Sequence, residues 1–444
     1  MKKIFRSSFV FSICFILGFL NILSAEEKKS PVDWTGITPE IAVPAKLDRD
    51  SNQGLAVELK SENSIGTWTG TVAVKTGTAC RITAEAEIDL IGPSSPGNDS
   101  MIILSWMIPD KKNPCQRDYV EFSDQQSKTD PQKTIRQFDQ IFTVPDQCTA
   151  VKIECIFKWR VGKAIFRNVE IATVPVPKPR MVRIVAANPH PSRPCTIEGN
   201  LAAMEETLKN IFQKVERPDI ILFAECFTDS GAPGTVDAKA EPLPDGPTFR
   251  LLSRYARQYH VWIAGNIHEA APEKIYHNTA FLVDRSGKLA GIYRKVHLTS
   301  SEFQKGVIPG KELPVFQTDF GKVAFVICWD NWFSETAKIL RLKGAELLLF
   351  PLAGDAKESH WGKIWSARAI DSSVPMVVAT QQAHLPSAII DRDGEWLTET
   401  KEKNRFAWKD LDLNERKRSF WLSVGPSMGD PYQLYNFERR PSAY

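Results

Sequence analysis

At Val174-Pro175-Val176-Pro177-Lys178-Pro179 the residue pattern of this 444-residue chain changes its period. Alternating prolines favour an extended, semi-rigid spacer, so the hexapeptide marks a domain boundary. From about Leu55 to Ile171 the chain is a series of short alternating runs, among them Thr67 to Val74, Cys80 to Ile88, Met101 to Met107 and Val151 to Trp159. Gly, Pro, Asn and Asp clusters punctuate them. Period-two alternation with β-branched and aromatic enrichment predicts an antiparallel β-sandwich over residues 31–173, with 174–180 as linker.

From 181 to 444 strand-like runs alternate with helical stretches. Val182 to Ala187, Asp219 to Phe223, Val261 to Ile267, Val323 to Ile327, Leu347 to Phe350 and Met376 to Thr380 read as strands. Asn200 to Lys214, Thr248 to Gln258, Glu335 to Lys343 and Trp361 to Asp371 read as helices. Alternation of this kind predicts an α/β layered domain. Single cores stop growing near about 250–300 residues, which agrees with two domains.

Hydrophobic residues make up 43% of the chain and charged ones 25%, the composition of a folded globular protein. Lys plus Arg exceeds Asp plus Glu by only three (56 against 53), with no dense basic block. That excludes an electrostatic case for nucleic acid and favours a small substrate.

Lys2, Lys3 and Arg6 precede an apolar run from Phe9 to Leu20 and a stretch ending Ser24-Ala25. Residues 1–25 are therefore expected to be a secretory signal, placing the mature protein in the periplasm or outside the cell. An uncleaved N-terminal membrane anchor is the alternative. Four cysteines, Cys80, Cys115, Cys148 and Cys155, fall in the N-terminal half, where an exported domain could pair them. Four cysteines allow three connectivities, which the sequence leaves open. No Cys-x-x-Cys or His-x-x-x-His spacing occurs, so a zinc site has little support.

Three reactive side chains each end an apolar run. Glu225 follows Ile220-Ile221-Leu222-Phe223-Ala224, Lys295 lies in Tyr293-Arg294-Lys295-Val296-His297-Leu298, and Cys328 follows Val323-Ala324-Phe325-Val326-Ile327. Open α/β sheets build sites where strands end, so a carboxylate, an amine and a thiol delivered this way can form one acyl-transfer centre. A thiol at a strand-to-helix junction sits near backbone N–H groups, and a nearby cation favours thiolate. Burial of Glu225 would raise its pKa toward neutrality and suit it to proton transfer. Cys226 is read as a packing residue, because adjacent strand side chains point to opposite faces.

The order Glu225, Lys295, Cys328, with its flanking text, resembles the carbon-nitrogen hydrolase, or nitrilase, superfamily. His277-Asn278-Thr279-Ala280, Gly306 to Gly310, Cys328-Trp329-Asp330 with Phe333 and Glu335, Gly344 through Pro351, Ala367-Arg368-Ala369-Ile370 and Ser387 to Asp391 follow in family order. The resemblance implies an α-β-β-α sandwich, dimerised through the outer face of a helical layer. It also implies that Cys328 attacks the carbonyl, Glu225 carries protons, and Lys295 with the Trp329 backbone N–H holds the oxyanion. No metal or organic cofactor is required. Glu302 is expected to support Lys295, with Glu312 as competitor; His297 and Arg368 are read as structural. Trp332, His360 and Trp361 are candidate substrate contacts. More locally, Gly162 to Ile171 resembles the closing strand of carbohydrate-binding-type jelly rolls.

The leading expectation is hydrolysis of a linear carboxamide or N-carbamoyl compound. Asp330 stands where the nitrile-cleaving branch has Glu, which disfavours nitriles. Two alternatives remain: acyl transfer to an amine by the same trio, and a surface- or glycan-binding protein whose nitrilase-like domain is silent.

Overall fold

The computed structural model describes residues 32–39, 43–91, 98–130, 133–354, 359–381, 385–401 and 405–439. The expected export signal, residues 1–25, lies outside the described residues. Among the described residues no helix is long and apolar enough to cross a membrane. The chain forms two compact units. One ends at Pro177 and also takes in Gly425–Ser427, and the other begins at Lys178.

In the first unit the alternating runs build two sheets. One has the order Lys46–Arg49, Leu55–Leu59, Gly162–Val174, Ala79–Leu90, Lys133–Thr143, Phe122–Gln126. The other includes Thr35–Ile37, Ser64–Ala73, Ala150–Lys158, Ser100–Met107 and Gln116–Tyr119 in that order. These neighbours pair antiparallel. Period two decides which side chains go inside: in Ala150–Lys158, Val151, Ile153, Cys155 and Phe157 are buried while the residues between them are partly exposed. They share one core with Ile82, Phe138 and Phe166 of the opposite sheet. Full burial of each such side chain is worth roughly 1.5–3 kcal/mol.

The sequence reading omitted Gln116–Tyr119 and Phe122–Gln126, whose polar text carries no alternation. Phe122–Gln126 is held from the neighbouring strand instead. Fully buried Arg136 grips Asp124 with Nε to Oδ1 and Nη2 to Oδ2, both at 2.7 Å. Among the cysteines, the fold brings Cys115 and Cys148 together, with Sγ atoms 2.9 Å apart. Cys80 and Cys155 are buried members of the core.

The second unit is a four-layer α-β-β-α sandwich. Its first sheet runs Leu289–Arg294, Ile275–Val283, Trp262–Ala271, Ile220–Leu222, Met181–Ala187, Phe406–Asp412. The second runs Phe316–Gln317, Lys322–Phe325, Leu347–Leu352, Met376–Thr380, Ala388–Ile390, Trp396–Glu399. In each, three central strands are parallel and the flanking pairs antiparallel.

Strands buried on both faces sort their residues by parity. Val182, Ile184 and Ala186 pack between the sheets with Val323, Phe325, Leu347 and Leu349. Val185, Ala187, Ile221 and Ile263 face the helices Ile197–Lys214 and Pro247–Tyr259 through Leu208, Ile211, Leu252 and Ala256. On the other side Ala324, Val326, Leu348 and Val378 meet Leu340, Trp365 and Ala369 of the helices Ser334–Leu342 and Trp361–Ser372. Near-continuous apolar strands are the expected text for sheets covered on both sides.

Local signals set the helix ends. Thr196 caps the first helix by accepting from Gly199 N at 3.0 Å, and the second starts at Pro247 behind Gly246. Strand Phe406–Asp412 escaped the sequence reading. It pairs across the whole length of Met181–Ala187, and this distant partner supplies its register.

Candidate active site

Three strand ends converge at one edge of the second unit. Beyond Ile220–Leu222 the chain leaves extended structure and presents Glu225, 4% exposed. Leu289–Arg294 delivers Lys295, 1% exposed. Lys322–Phe325 runs through Val326 and Ile327 to Cys328, which opens a 3-10 turn, Cys328–Trp332, at φ 43°.

A residue with a Cβ held at positive φ costs on the order of 1–3 kcal/mol, so the turn needs bracing. Asp330, fully buried, supplies it. Its Oδ2 accepts from Ile327 N (3.0 Å) and Tyr293 Oη (2.7 Å), and its Oδ1 from His297 N (2.9 Å). The His297 ring also meets Oδ1 at 2.9 Å and stacks on Phe333 at 4.0 Å. Arg368 donates from Nε to Asn331 O (2.9 Å) and pairs with Asp371 (3.0 Å), tying the turn to its helix.

The lysine ammonium sits between two carboxylates. Nζ is 2.9 Å from Glu225 Oε1 and 2.9 Å from Glu302 Oε2. Asn278 Nδ2 donates to both acids, at 2.8 Å and 2.7 Å, and Ala353 N donates to Glu225 Oε2 at 2.8 Å. Glu302 is fixed by Thr299, whose N and Oγ1 both donate to Oε2. Of the two acids considered for this place the fold uses Glu302; Glu312 is exposed.

Electrostatics follows from that geometry. Burial pulls the Lys295 pKa down, but Glu225, Cys328 and Glu302 outweigh it and hold the ammonium above the ordinary lysine range. Burial works on Glu302 in the opposite sense, and Lys295 and Asn278 overcome it, leaving the carboxyl below its usual range. For Cys328 burial comes first and the Glu225 charge second, and together they push the thiol well above its usual range against the pull of Lys295. The turn and the cation that favour thiolate are thus opposed by burial and by the Glu225 charge.

Glu225, Lys295, Glu302 and Cys328 line one cavity of about 820 Å³. Trp329, Trp332 and Trp361 form an aromatic wall, with ring centroids 5.7 Å and 5.5 Å apart along the series. The candidate contact His360 is not among the lining residues. It is exposed at the N-cap of Trp361–Ser372, where the first helical turn carries Trp361 inward instead.

Cys226 departs from the packing role expected of it. Because the strand ends at Leu222, side-chain alternation no longer applies, and Cys226 at φ 44° lines the same cavity as Glu225. The sequence reading also missed Asn266, whose Oδ1 accepts from Cys226 N (2.8 Å) and whose Nδ2 donates to Asn278 Oδ1 (3.0 Å). Its signal was present: a lone amide inside the apolar strand Trp262-Ile263-Ala264-Gly265-Asn266-Ile267.

A family profile described as carbon-nitrogen hydrolase matches residues 181–418. The chain is 34% identical over 195 residues to a probable nitrilase of Schizosaccharomyces pombe, covering 42% of this chain and 70% of that one. It is 29% identical over 272 residues to an N-carbamoylputrescine amidase of Arabidopsis thaliana, covering 54% and 90%. To an omega-amidase of Danio rerio it is 29% identical over 213 residues, covering 44% and 76%.

Proposed function

The chain belongs to the carbon-nitrogen hydrolase family and is an amidase-like enzyme, and from that premise we propose that it cleaves a linear carboxamide or N-carbamoyl compound through a thioester on Cys328. The observation that carries this reading is the Lys295 ammonium, buried within 2.9 Å of Glu225 and of Glu302 in the cavity that Cys328 lines.

In the proposed reaction the Cys328 thiol gives its proton to Glu225 as sulfur attacks the carbonyl carbon. A thiol whose pKa is pushed up by burial and by the Glu225 charge needs such an acceptor, and Glu225 lines the same cavity. The oxyanion is met by Lys295 and the Trp329 backbone N–H, donors fixed before reaction. Glu225 returns the proton to the leaving nitrogen, the C–N bond breaks, and water activated by Glu225 hydrolyses the thioester. Splitting one displacement into two lowers each barrier.

The substrate class rests on the relatives named as an N-carbamoylputrescine amidase and an omega-amidase. Trp332 and Trp361 line the cavity with indole N–H groups that are buried and have no partner among the described residues. They suit a substrate with a hydrogen-bond acceptor beyond the scissile bond. The reading includes export, from residues 1–25, and self-association through the outer helical face, where Ile339, Leu342 and Ile370 are exposed.

The test is a screen of amides and carbamoyl compounds for ammonia or amine release, run with and without an added amine acceptor. Free acid as product supports hydrolysis, and an acyl-amine product favours the transferase alternative. No product from any member, with Cys328 unmodified, refutes the reading.

A further inference from the structure

A second group of reactive side chains shares the cavity wall. Cys226 Sγ lies 3.9 Å from His268 Nε2, and His268 Nδ1 lies 2.6 Å from Asp229 Oδ2. Cys226 and Asp229 are buried, and Cys226 and His268 both line the cavity. The left-handed backbone at Cys226 leads straight into the 3-10 turn Phe227–Asp229, and strand Trp262–Ala271 brings His268 across from it.

Asp229 accepts from Nδ1 across the short contact, which leaves Nε2 as the ring nitrogen that faces Cys226. Cys226 Sγ donates to Asn266 Oδ1 at 3.1 Å, so its own lone pairs are left for His268. Sulfur and Nε2 therefore face each other across 3.9 Å. A cation fits between them: with Zn–S of about 2.3 Å and Zn–N of about 2.0–2.1 Å, this separation corresponds to a ligand–metal–ligand angle of roughly 125°. A carboxylate behind the imidazole is the usual partner of a metal-bound histidine, fixing its tautomer and orientation.

We propose that Cys226 and His268, backed by Asp229, bind one thiophilic d10 dication of the zinc class on the wall of the substrate cavity. Binding forms the S–metal and Nε2–metal bonds and releases the Cys226 thiol proton to solvent. The remaining coordination positions open toward the cavity, so a bound ion competes with substrate for space beside Glu225. Neither Cys226 nor His268 carries out the bond-breaking steps above, and the site stands whether or not the substrate class is as proposed.

The experiment uses the full chain with Cys328→Ala, which removes the other cavity thiol, stripped with chelator and titrated with Co²⁺ as a spectroscopic stand-in. The expected result is a thiolate-to-cobalt charge-transfer absorption that saturates at one equivalent and is displaced by Zn²⁺. Adding Cys226→Ser should remove it, and adding Asp229→Asn should weaken affinity by about 10- to 100-fold, as loss of such outer partners does. Absence of the band, or a band unchanged by Cys226→Ser, overturns the proposal. If the doubly substituted chain fails to fold, alkylation of the Cys328→Ala chain decides. Peptide mass spectrometry should show Zn²⁺ protecting Cys226, and equal labelling with and without Zn²⁺ overturns the site.

Discussion

Tyr293 Oη donates to Asp330 Oδ2 at 2.7 Å, and this bond joins the strand that delivers Lys295 to the turn that presents Cys328. Neither residue has a part in the proposed chemistry, yet together they fix the spacing between two groups that line the cavity. Burial and the Asp330 charge raise the Tyr293 pKa well above its usual value, so the phenol remains a donor.

Replacing Asp330 by Ala strands the Tyr293 hydroxyl and the Ile327 N–H in the interior. Each unsatisfied group costs about 1–3 kcal/mol, so the second unit should lose at least about 2 kcal/mol, and Tyr293→Phe about 1 kcal/mol. Urea unfolding followed by tryptophan fluorescence measures both. An unchanged midpoint for Asp330→Ala contradicts the bracing role.

Cys328→Ala should abolish turnover and any covalent acyl adduct seen by intact-mass analysis of quenched wild-type reactions, while circular dichroism stays unchanged. Glu225→Gln should lower kcat by about 10²- to 10⁴-fold, the usual range for a lost general acid–base. Retained turnover in either variant refutes the corresponding role.

Glu302→Gln tests a positioning residue. Hydrogen bonds to charged groups are worth about 1.5–3 kcal/mol, so kcat should fall by about 10- to 100-fold with little change in KM. Glu302→Asp, which keeps the charge, should recover part of the loss. A rise in KM alone points to a substrate contact instead.

The buried cluster makes stability depend on pH in two directions. Lys295 is raised in the fold, so its contribution is complete below the unfolded lysine pKa of about 10.4 and fades as pH climbs through the folded value. Glu302 is lowered, so its contribution is present above about 4.3 and is lost as pH falls through the folded value. The difference in unfolding free energy between wild type and Glu302→Gln should shrink below about pH 4.3. A constant difference across that range shows that no linkage exists.

Cys115 and Cys148, at 2.9 Å between sulfurs, are the pair expected to close under oxidising conditions. Thiol counting under denaturation should fall by two after oxidation, and peptide mapping should recover the 115–148 link. Recovery of a link through Cys80 or Cys155 rules out this pairing.

Much of the architecture was legible because burial writes itself into period. Strands covered on both faces must be apolar throughout, and sandwich strands must alternate, so the runs on either side of Pro175 and Pro177 specified their classes from local text. Glu225, Lys295 and Cys328 stand out in the sequence through their order and flanking text, and the fold brings all three to one cavity. What the sequence could not carry was whatever depends on a partner distant along the chain. The edge strand Phe122–Gln126 is held by Arg136, and Phe406–Asp412 takes its register from Met181–Ala187. The choice of Glu302 rests on Thr299 and Asn278.

The sequence by itself determined the fold class and the order of the reactive groups, because both follow from local patterning. Only the tertiary structure decided their surroundings and their company. Burial and the Glu225 charge push the Cys328 thiol up, and the left-handed backbone at Cys226 places that residue on the cavity beside His268. Desolvation and through-space proximity are properties of the packed chain, and no spacing along the sequence encodes them.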